Sequence, residues 1–202
     1  AAQAIACGAE PCVLPICKDT FEGLKEAVSA AVREYDFVIT TGGAANGDFD
    51  FIKAVVSDLG ELKMSTVNMR PGKAQTFGIV EGTPVFGLPG NPAAAYIGFE
   101  TLIRPALRKM QGFTCFDRPS ISAKLSKDVK KKDPRRIYLR ATMVKDEAGD
   151  FIVTPDKNQS SGSFGVIQHS TCLAIMPEGL ESKAAGDEVR CIILDVPEEV
   201  VL

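Results

Sequence analysis

The sequence predicts an α/β layer followed by a smaller, β-rich second domain. Three observations carry that expectation. As far as Gly112, apolar residues at helical spacing alternate with short continuous apolar runs. Glycine-rich turns stand where those runs hand over to helices. After residue 113 only short β-type segments remain, separated by turn signals such as Glu147-Ala148-Gly149-Asp150 and Ala185-Gly186-Asp187.

The elements follow in order. Residues 1–5 read as part of a helix. Asp19 followed by Glu22 is a capping signature, and Phe21, Leu24, Val28 and Val32 form the apolar face of the helix after it. Residues 36–40 are a short apolar run ending in glycines, the pattern of a buried parallel strand. Asp48 caps a helix whose face is Ile52, Val55, Val56 and Leu59, stopped by Gly60. An extended segment spans 62–69. Residues 76–80 and 83–88 flank Glu81-Gly82 as a hairpin. Asn91 is a good N-cap and Pro92 a favoured first helical residue. That helix runs to about Met110, with Pro105 kinking or restarting it. The second domain has strands expected over 121–125, 137–144, 151–154, 172–176 and 188–196, as a small barrel or sandwich. Its boundary is placed at residues 115–119, giving domains 1–115 and 116–202.

Composition bounds the function. The chain has 202 residues and a net charge of -3, with 45% hydrophobic and 24% charged residues. That balance gives no global drive toward nucleic acid or an anionic membrane. No apolar run approaches the roughly 20 residues of a membrane span. The 6 cysteines are scattered with no C-x-x-C, and there is 1 histidine, so no zinc pattern forms. Buried reduced thiols in a cytoplasmic protein are the expectation.

Three turns concentrate the chemistry. The first is Thr41-Gly42-Gly43-Ala44-Ala45-Asn46-Gly47-Asp48-Phe49-Asp50. Its glycines let backbone amides approach a ligand, and the helix start behind them favours negative charge. Asp48 and Asp50 suit a Mg²⁺ that neutralises phosphate oxygens. A plain βα turn with a capping aspartate satisfies the same residues, and neither a Walker A loop nor G-x-G-x-x-G is present. The second turn, Arg70-Pro71-Gly72-Lys73, holds two cations. A helix N-terminus contributes only ~0.3–1 kcal/mol toward an anion at an exposed site. A tenfold gain in affinity takes about 1.4 kcal/mol, so capture of a small dianion needs such fixed charges. The third, Leu88-Pro89-Gly90-Asn91-Pro92, stiffens the backbone before a helix; punctuation explains Asn91 and Pro92, but Pro89-Gly90 less well.

In the second domain Arg140 stands inside a strand, after Ile137, Tyr138 and Leu139. The run Lys130-Lys131-Lys132 with Arg135-Arg136 lacks the aromatic interleaving of a nucleic-acid surface and reads as a solvated hairpin. The polar stretch Asn158-Gln159-Ser160-Ser161-Gly162-Ser163 reads as a loop able to hydrogen-bond an oxyanion. His169 reads as a surface or satisfied histidine.

In this order and spacing, the three turns resemble the molybdopterin molybdotransferase family, which includes bacterial MoeA and the E domain of gephyrin. The resemblance covers nearly the whole chain, and Arg104-Pro105-Ala106-Leu107 followed by Gly112 fits the family's helix after the third turn. It implies a MogA-like, three-layer α/β/α molybdopterin-binding domain, here without its first strand, then a C-terminal β-barrel. It implies molybdenum cofactor synthesis: molybdate enters adenylylated molybdopterin and AMP leaves, with Mg²⁺ assisting. Asp50, Arg70 and Lys73 take the catalytic positions, Asp50 also holding the metal. Gly42, Gly43, Asp48, Pro89, Asn91, Pro92, Arg140 and Ser161 take the pterin- and anion-binding positions. The resemblance further implies a homodimer of the full-length protein, with no nucleic-acid or membrane partner. Two features depart from the family. Ala44-Ala45 replaces the usual Val-Ser, removing a hydroxyl from the first turn. The family's two N-terminal domains and its strand ending in Thr-Gly-Asp-Glu are not in the sequence, so the piece is expected to be inactive alone. Other readings are molybdopterin adenylyltransferase, against which the second domain argues, and a non-catalytic pterin-binding or scaffold protein.

Overall fold

The computed structural model describes residues 1–42 and 51–196. Two compact units make up the chain: Ala1–Val67 with Gly72–Ile103, and Asn68–Pro71 with Arg104–Leu202.

The first unit begins with α1 (Ala2–Ala6) and α2 (Phe21–Glu34), followed by β1 (Val38–Thr41), α3 (Phe51–Leu59) and β2 (Gly60–Met64). After the two-residue β3 (Met69–Arg70), which belongs to the second unit, come β4 (Thr76–Val80), β5 (Thr83–Leu88) and α4 (Pro92–Gly98). Thr20, not Asp19, caps α2: its hydroxyl accepts the Gly23 N–H at 3.2 Å. The cap falls one residue later than the capping-box pattern suggests because Phe21 already opens the helix. The 76–80 and 83–88 hairpin forms as expected, with Glu81 and Gly82 both at positive φ, the requirement of a two-residue turn between twisted strands.

The sheet order is β1-β5-β4-β2. Only β1 and β5 run parallel, in the register Thr40↔Gly87 and Thr41↔Leu88. On one face, α2 and α3 bury Val28, Ala31, Val32, Ile52, Val55 and Val56 against Val38, Val80 and Val85. Successive strand residues face opposite ways, so Phe86 points to the other face, where it stacks between Phe37 (5.3 Å between centroids) and Phe77 (4.4 Å). Two strand positions let α3 approach closely. A Cβ on Gly78 would lie 2.3 Å from Val56 Cγ1, and one on Gly87 3.0 Å from Ile52 Cγ1. Ile52 and Val56, one helical turn apart, thus sit over two neighbouring strands at places with no side chain.

Residues Phe99–Ile103 form a π-helical turn, and α5 (Arg104–Met110) follows. The expected kink at Pro105 takes this form because proline has no N–H to donate and its ring crowds the preceding turn. The helix ends as a Schellman motif: Gly112 N–H donates to Lys109 O and Phe113 N–H to Arg108 O, both at 3.1 Å.

The rest of the second unit is a closed five-stranded barrel, not a sandwich. Its strands are β6 (Ser120–Leu125), β7 (Arg136–Lys145), β8 (Phe151–Pro155), β9 (Cys172–Met176) and β10 (Glu188–Ile193). The order β7-β8-β6-β10-β9 closes through β7–β9 pairing. Leu125, Leu139, Ala141, Val153, Leu173's neighbours Cys172 and Ala174, Met176, Val189 and Cys191 meet in the interior. A short helix not expected from the sequence, α6 (Phe164–His169), precedes β9. Lysines 130–132 form no hairpin: Lys131 is buried, with its ammonium on Pro177 O and its N–H on Ser182 Oγ. Cys7, Cys172 and Cys191 are buried free thiols, as expected, whereas Cys12, Cys17 and Cys115 are exposed because they lie in irregular segments. Among the described residues, no helix is long and apolar enough to cross a membrane.

The packing generates a stability test. Gly78→Ala should destabilise the protein by about 1–3 kcal/mol through overpacking, read by chemical denaturation. A loss under about 0.5 kcal/mol, the usual range for surface changes, would show that α3 does not depend on that approach.

Candidate functional site

In the first unit the described parts of the three turns, Gly42, Gly72–Lys73 and Leu88–Pro92, lie around the start of α4. Strand β1 ends at Thr41 beside the end of β5 at Leu88, and Gly42 N–H donates to Leu88 O at 3.1 Å. The two glycine turns touch: a Cβ on Gly90 would lie 3.3 Å from Gly42 Cα. Both sit at the C-terminal ends of parallel strands, where α/β sheets usually bind ligands. Past Pro89, Asn91 caps α4, its side-chain oxygen accepting the Ala94 N–H at 3.4 Å, and Pro92 is the first helical residue. The Gly72–Lys73 turn abuts the same helix start. Gly72 has φ +99, and a Cβ on it would lie 3.4 Å from Ala94 O.

Gln75 joins these parts. Its side chain is 1% exposed, its Nε2 donates to Gly72 O at 3.1 Å, and it lies so close to α4 that a Cβ on Gly98 would be 2.5 Å from its Oε1. One carboxamide therefore fits between the cationic turn and the helix. Nothing in the local sequence singles it out; its burial comes from the bare Gly98 surface opposite. Lys73 itself is exposed, and among the described residues its ammonium has no hydrogen-bond or ion-pair partner. Gly43, Asp48 and Asp50 lie outside the described residues. Among those that are described, no three acids, cysteines or histidines are placed to hold a metal ion.

Arg70 and Lys73 share one turn in sequence but belong to different units. Arg70 sits in β3, which pairs parallel with β7 in the register Arg70↔Ile137. Its Nη1 donates to Asp133 Oδ2 at 3.2 Å. Asp133 also receives the Arg135 N–H at 3.0 Å, Arg135 Nε at 2.8 Å and Arg135 Nη2. Arg135, and then Arg70, hold the Asp133 carboxyl well below the usual carboxylate range. Arg135 further donates to Met69 O at 3.4 Å. The basic run thus contains an acid that anchors the strand bearing Arg70, a role masked in the sequence by the surrounding lysines.

Arg140 alternates along β7 with the interior residues Leu139 and Ala141, so it points out of the barrel. It is nevertheless 1% exposed. The segment after β8 covers it: Gln159 Oε1 accepts from Arg140 Nε and Nη2, both at 3.3 Å, and Ser160 O accepts from Nη1 at 2.9 Å. Burial lowers the Arg140 pKa from its ordinary value, and Asp156, acting through space, opposes that. Ser161 is half-buried, next to the residue that receives the guanidinium. Arg140 and the serine loop, far apart in sequence, are therefore one assembly.

Two outcomes follow from these contacts. Asn91→Ala should cost about 0.5–2 kcal/mol, the usual loss on removing an N-cap; an unchanged denaturation midpoint would deny the cap that role. For Asp133 the sign is that of a depressed carboxylate. Its stabilising contribution is present above the unfolded value, ~3.9, and is lost as pH falls through the lower folded value. The stability gap between the natural protein and Asp133→Asn should be constant above about pH 5 and shrink below about pH 4. A gap that stays flat on acidification would remove the Arg135 and Arg70 contacts as its cause.

Known proteins resemble this chain in sequence and in fold. Residues 1–109 match the family described as probable molybdopterin binding domain, and residues 122–194 match the MoeA C-terminal region (domain IV). A molybdopterin molybdenumtransferase of Staphylococcus aureus is 35% identical over 188 residues, covering 92% of this chain and 45% of the relative. One from Staphylococcus epidermidis is 34% identical over 188 residues, with 91% and 45% covered. Among solved structures, a molybdopterin biosynthesis MoeA protein of Pyrococcus horikoshii matches with TM-score 0.78 and 28% identity over 95% of this chain and 46% of that one. A molybdenum cofactor biosynthesis protein of Pyrococcus furiosus matches with TM-score 0.73 and 25% identity, over 96% and 62%. The chain spans less than half the length of the curated relatives it matches. With residues 1–109 matching the one family and residues 122–194 the other, in that order, this chain belongs to the molybdopterin molybdotransferase family.

Proposed function

We propose that the protein of which this chain is part inserts molybdate into adenylylated molybdopterin and releases AMP. The observation that carries this reading is the meeting, within the first unit, of the Gly42 and Gly90 turns with the Gly72–Lys73 turn at the start of α4. Backbone amides and a helix start there offer partial positive charge, and the exposed Lys73 adds a full one. Molybdate is a dianion and the pterin substrate carries phosphate, so both need that charge.

In this reading Gly42, Gly43, Asp48, Pro89, Asn91 and Pro92 line the pterin side. Lys73 and Arg70 serve the reacting oxyanions, and Arg140 with Ser161 forms an anion subsite in the barrel unit. Asp50 holds a Mg²⁺, which when bound would offset charge on the substrate phosphates. The protein acts in the cytoplasm as a homodimer. Ala45, where the family usually has serine, favours one other reading: binding of the pterin without turnover.

The deciding measurement is AMP release from adenylylated molybdopterin by the intact protein with Mg²⁺, with and without molybdate. Molybdate-dependent AMP is expected. Pterin binding with no AMP would select the non-catalytic reading. Asp50→Ala should abolish Mg²⁺-dependent turnover, and near-normal turnover would remove Asp50 from the site.

A further inference from the structure

Gln159 makes more contacts than a loop residue needs. Its Oε1 accepts the Arg140 backbone N–H at 3.1 Å as well as the guanidinium Nε and Nη2. Its Nε2 donates to Arg140 O at 2.9 Å and to Asp156 O at 3.0 Å. One carboxamide thus closes both backbone groups of Arg140, aligns its side chain and ties down the start of the covering loop. The loop itself is ordered locally: Asp156 Oδ1 accepts the Asn158 N–H at 2.7 Å, and Asn158 Oδ1 accepts the Ser160 N–H at 3.0 Å.

Among the described residues, every atom that receives a hydrogen bond from the guanidinium belongs to a neutral group, the Gln159 amide or the Ser160 carbonyl. Among the described residues no carboxylate forms an ion pair with Arg140, in contrast to Arg70 and Arg135, which share Asp133. A buried cation is normally paired with a counter-charge. Here its hydrogen bonds go to neutral dipoles, and Asp156 acts on it only through space and offsets less than burial costs, so positive charge stands beneath the exposed Ser160.

We propose that Gln159 is a positioning residue for an oxyanion subsite on the barrel unit, fixing the Arg140 guanidinium with neutral oxygens so that its positive charge acts on an anion bound at the Ser160–Ser161 loop. The proposal rests on the molybdate-inserting reading above for the identity of that anion. Amide chemistry at position 159 is essential to it. A glutamate would still accept from the guanidinium but would neutralise it, and would lose the two bonds that Nε2 donates.

Two variants in the intact protein separate charge from shape. Gln159→Glu keeps acceptors for the guanidinium and cancels its charge. Gln159→Met keeps the side-chain length, leaves the charge and loses every hydrogen bond, making it the greater structural disturbance. Molybdate binding is measured by calorimetry, KM and kcat by molybdate-dependent AMP release, and folding by thermal midpoint. Gln159→Glu should weaken molybdate binding and raise its KM at least tenfold, with kcat and the KM for the adenylylated pterin within about threefold. Gln159→Met should bind molybdate more tightly than Gln159→Glu. The proposal is overturned if Gln159→Glu binds molybdate within twofold of the natural protein, or if Gln159→Met is the weaker binder. A natural protein that releases AMP beside an unaffected Gln159→Glu sinks this inference alone. One that neither binds molybdate nor releases AMP sinks both readings.

Discussion

The first unit depends on how near α3 comes to the sheet. Two neighbouring strand positions carry glycine, and Ile52 and Val56 fill the space above them. Interiors are packed as densely as organic crystals, so a methyl group at either place would push the helix outward. The helix is seated over β4 and β5, and β5 in turn carries the Leu88-Pro89-Gly90 turn. The same β5 pairs with β1, bringing Gly42 against Gly90. Helix seating and turn contact thus share a single strand, and the geometry of the turn-bearing end follows from apolar packing well below it.

Each unit uses polar side chains to fix a turn, short strand or loop to a rigid element. Gln75 sets the Gly72–Lys73 turn against α4, Asp133 secures the strand carrying Arg70, and Gln159 holds the covering loop to β7. These three residues differ in charge for a physical reason. Asp133 binds two arginines that are partly open to solvent, where a carboxylate satisfies both. Gln75 and Gln159 work where burial makes an unpaired charge costly, Gln75 as a donor to Gly72 O and Gln159 as donor and acceptor at once.

Much of this was legible from residue order. Hairpin strands 76–80 and 83–88 and the Asn91-Pro92 helix start are dictated by local chemistry: a two-residue turn, a capping amide, a ring with no N–H. The α3 face showed in the spacing of Ile52, Val55 and Val56, and all three are fully buried. Barrel strands appeared as alternating segments, though barrel and sandwich share that alternation and differ only in whether the last pair, β7–β9, closes. The helix α6 escaped because six residues give too little periodicity to detect.

The sequence by itself determined the three glycine turns, their order and spacing, the helix and strand segments around them, and the resemblance that names the family. These are local properties, set by a residue and its near neighbours along the chain. Tertiary structure decided what each charge does. Arg70 and Lys73, on either side of a shared Pro-Gly, were divided between units because β3 pairs with β7. Arg140 looked like one more strand arginine until a loop some twenty residues on folded over it and supplied neutral oxygens. Burial and pairing depend on segments distant in the chain, so no reading of local pattern contains them.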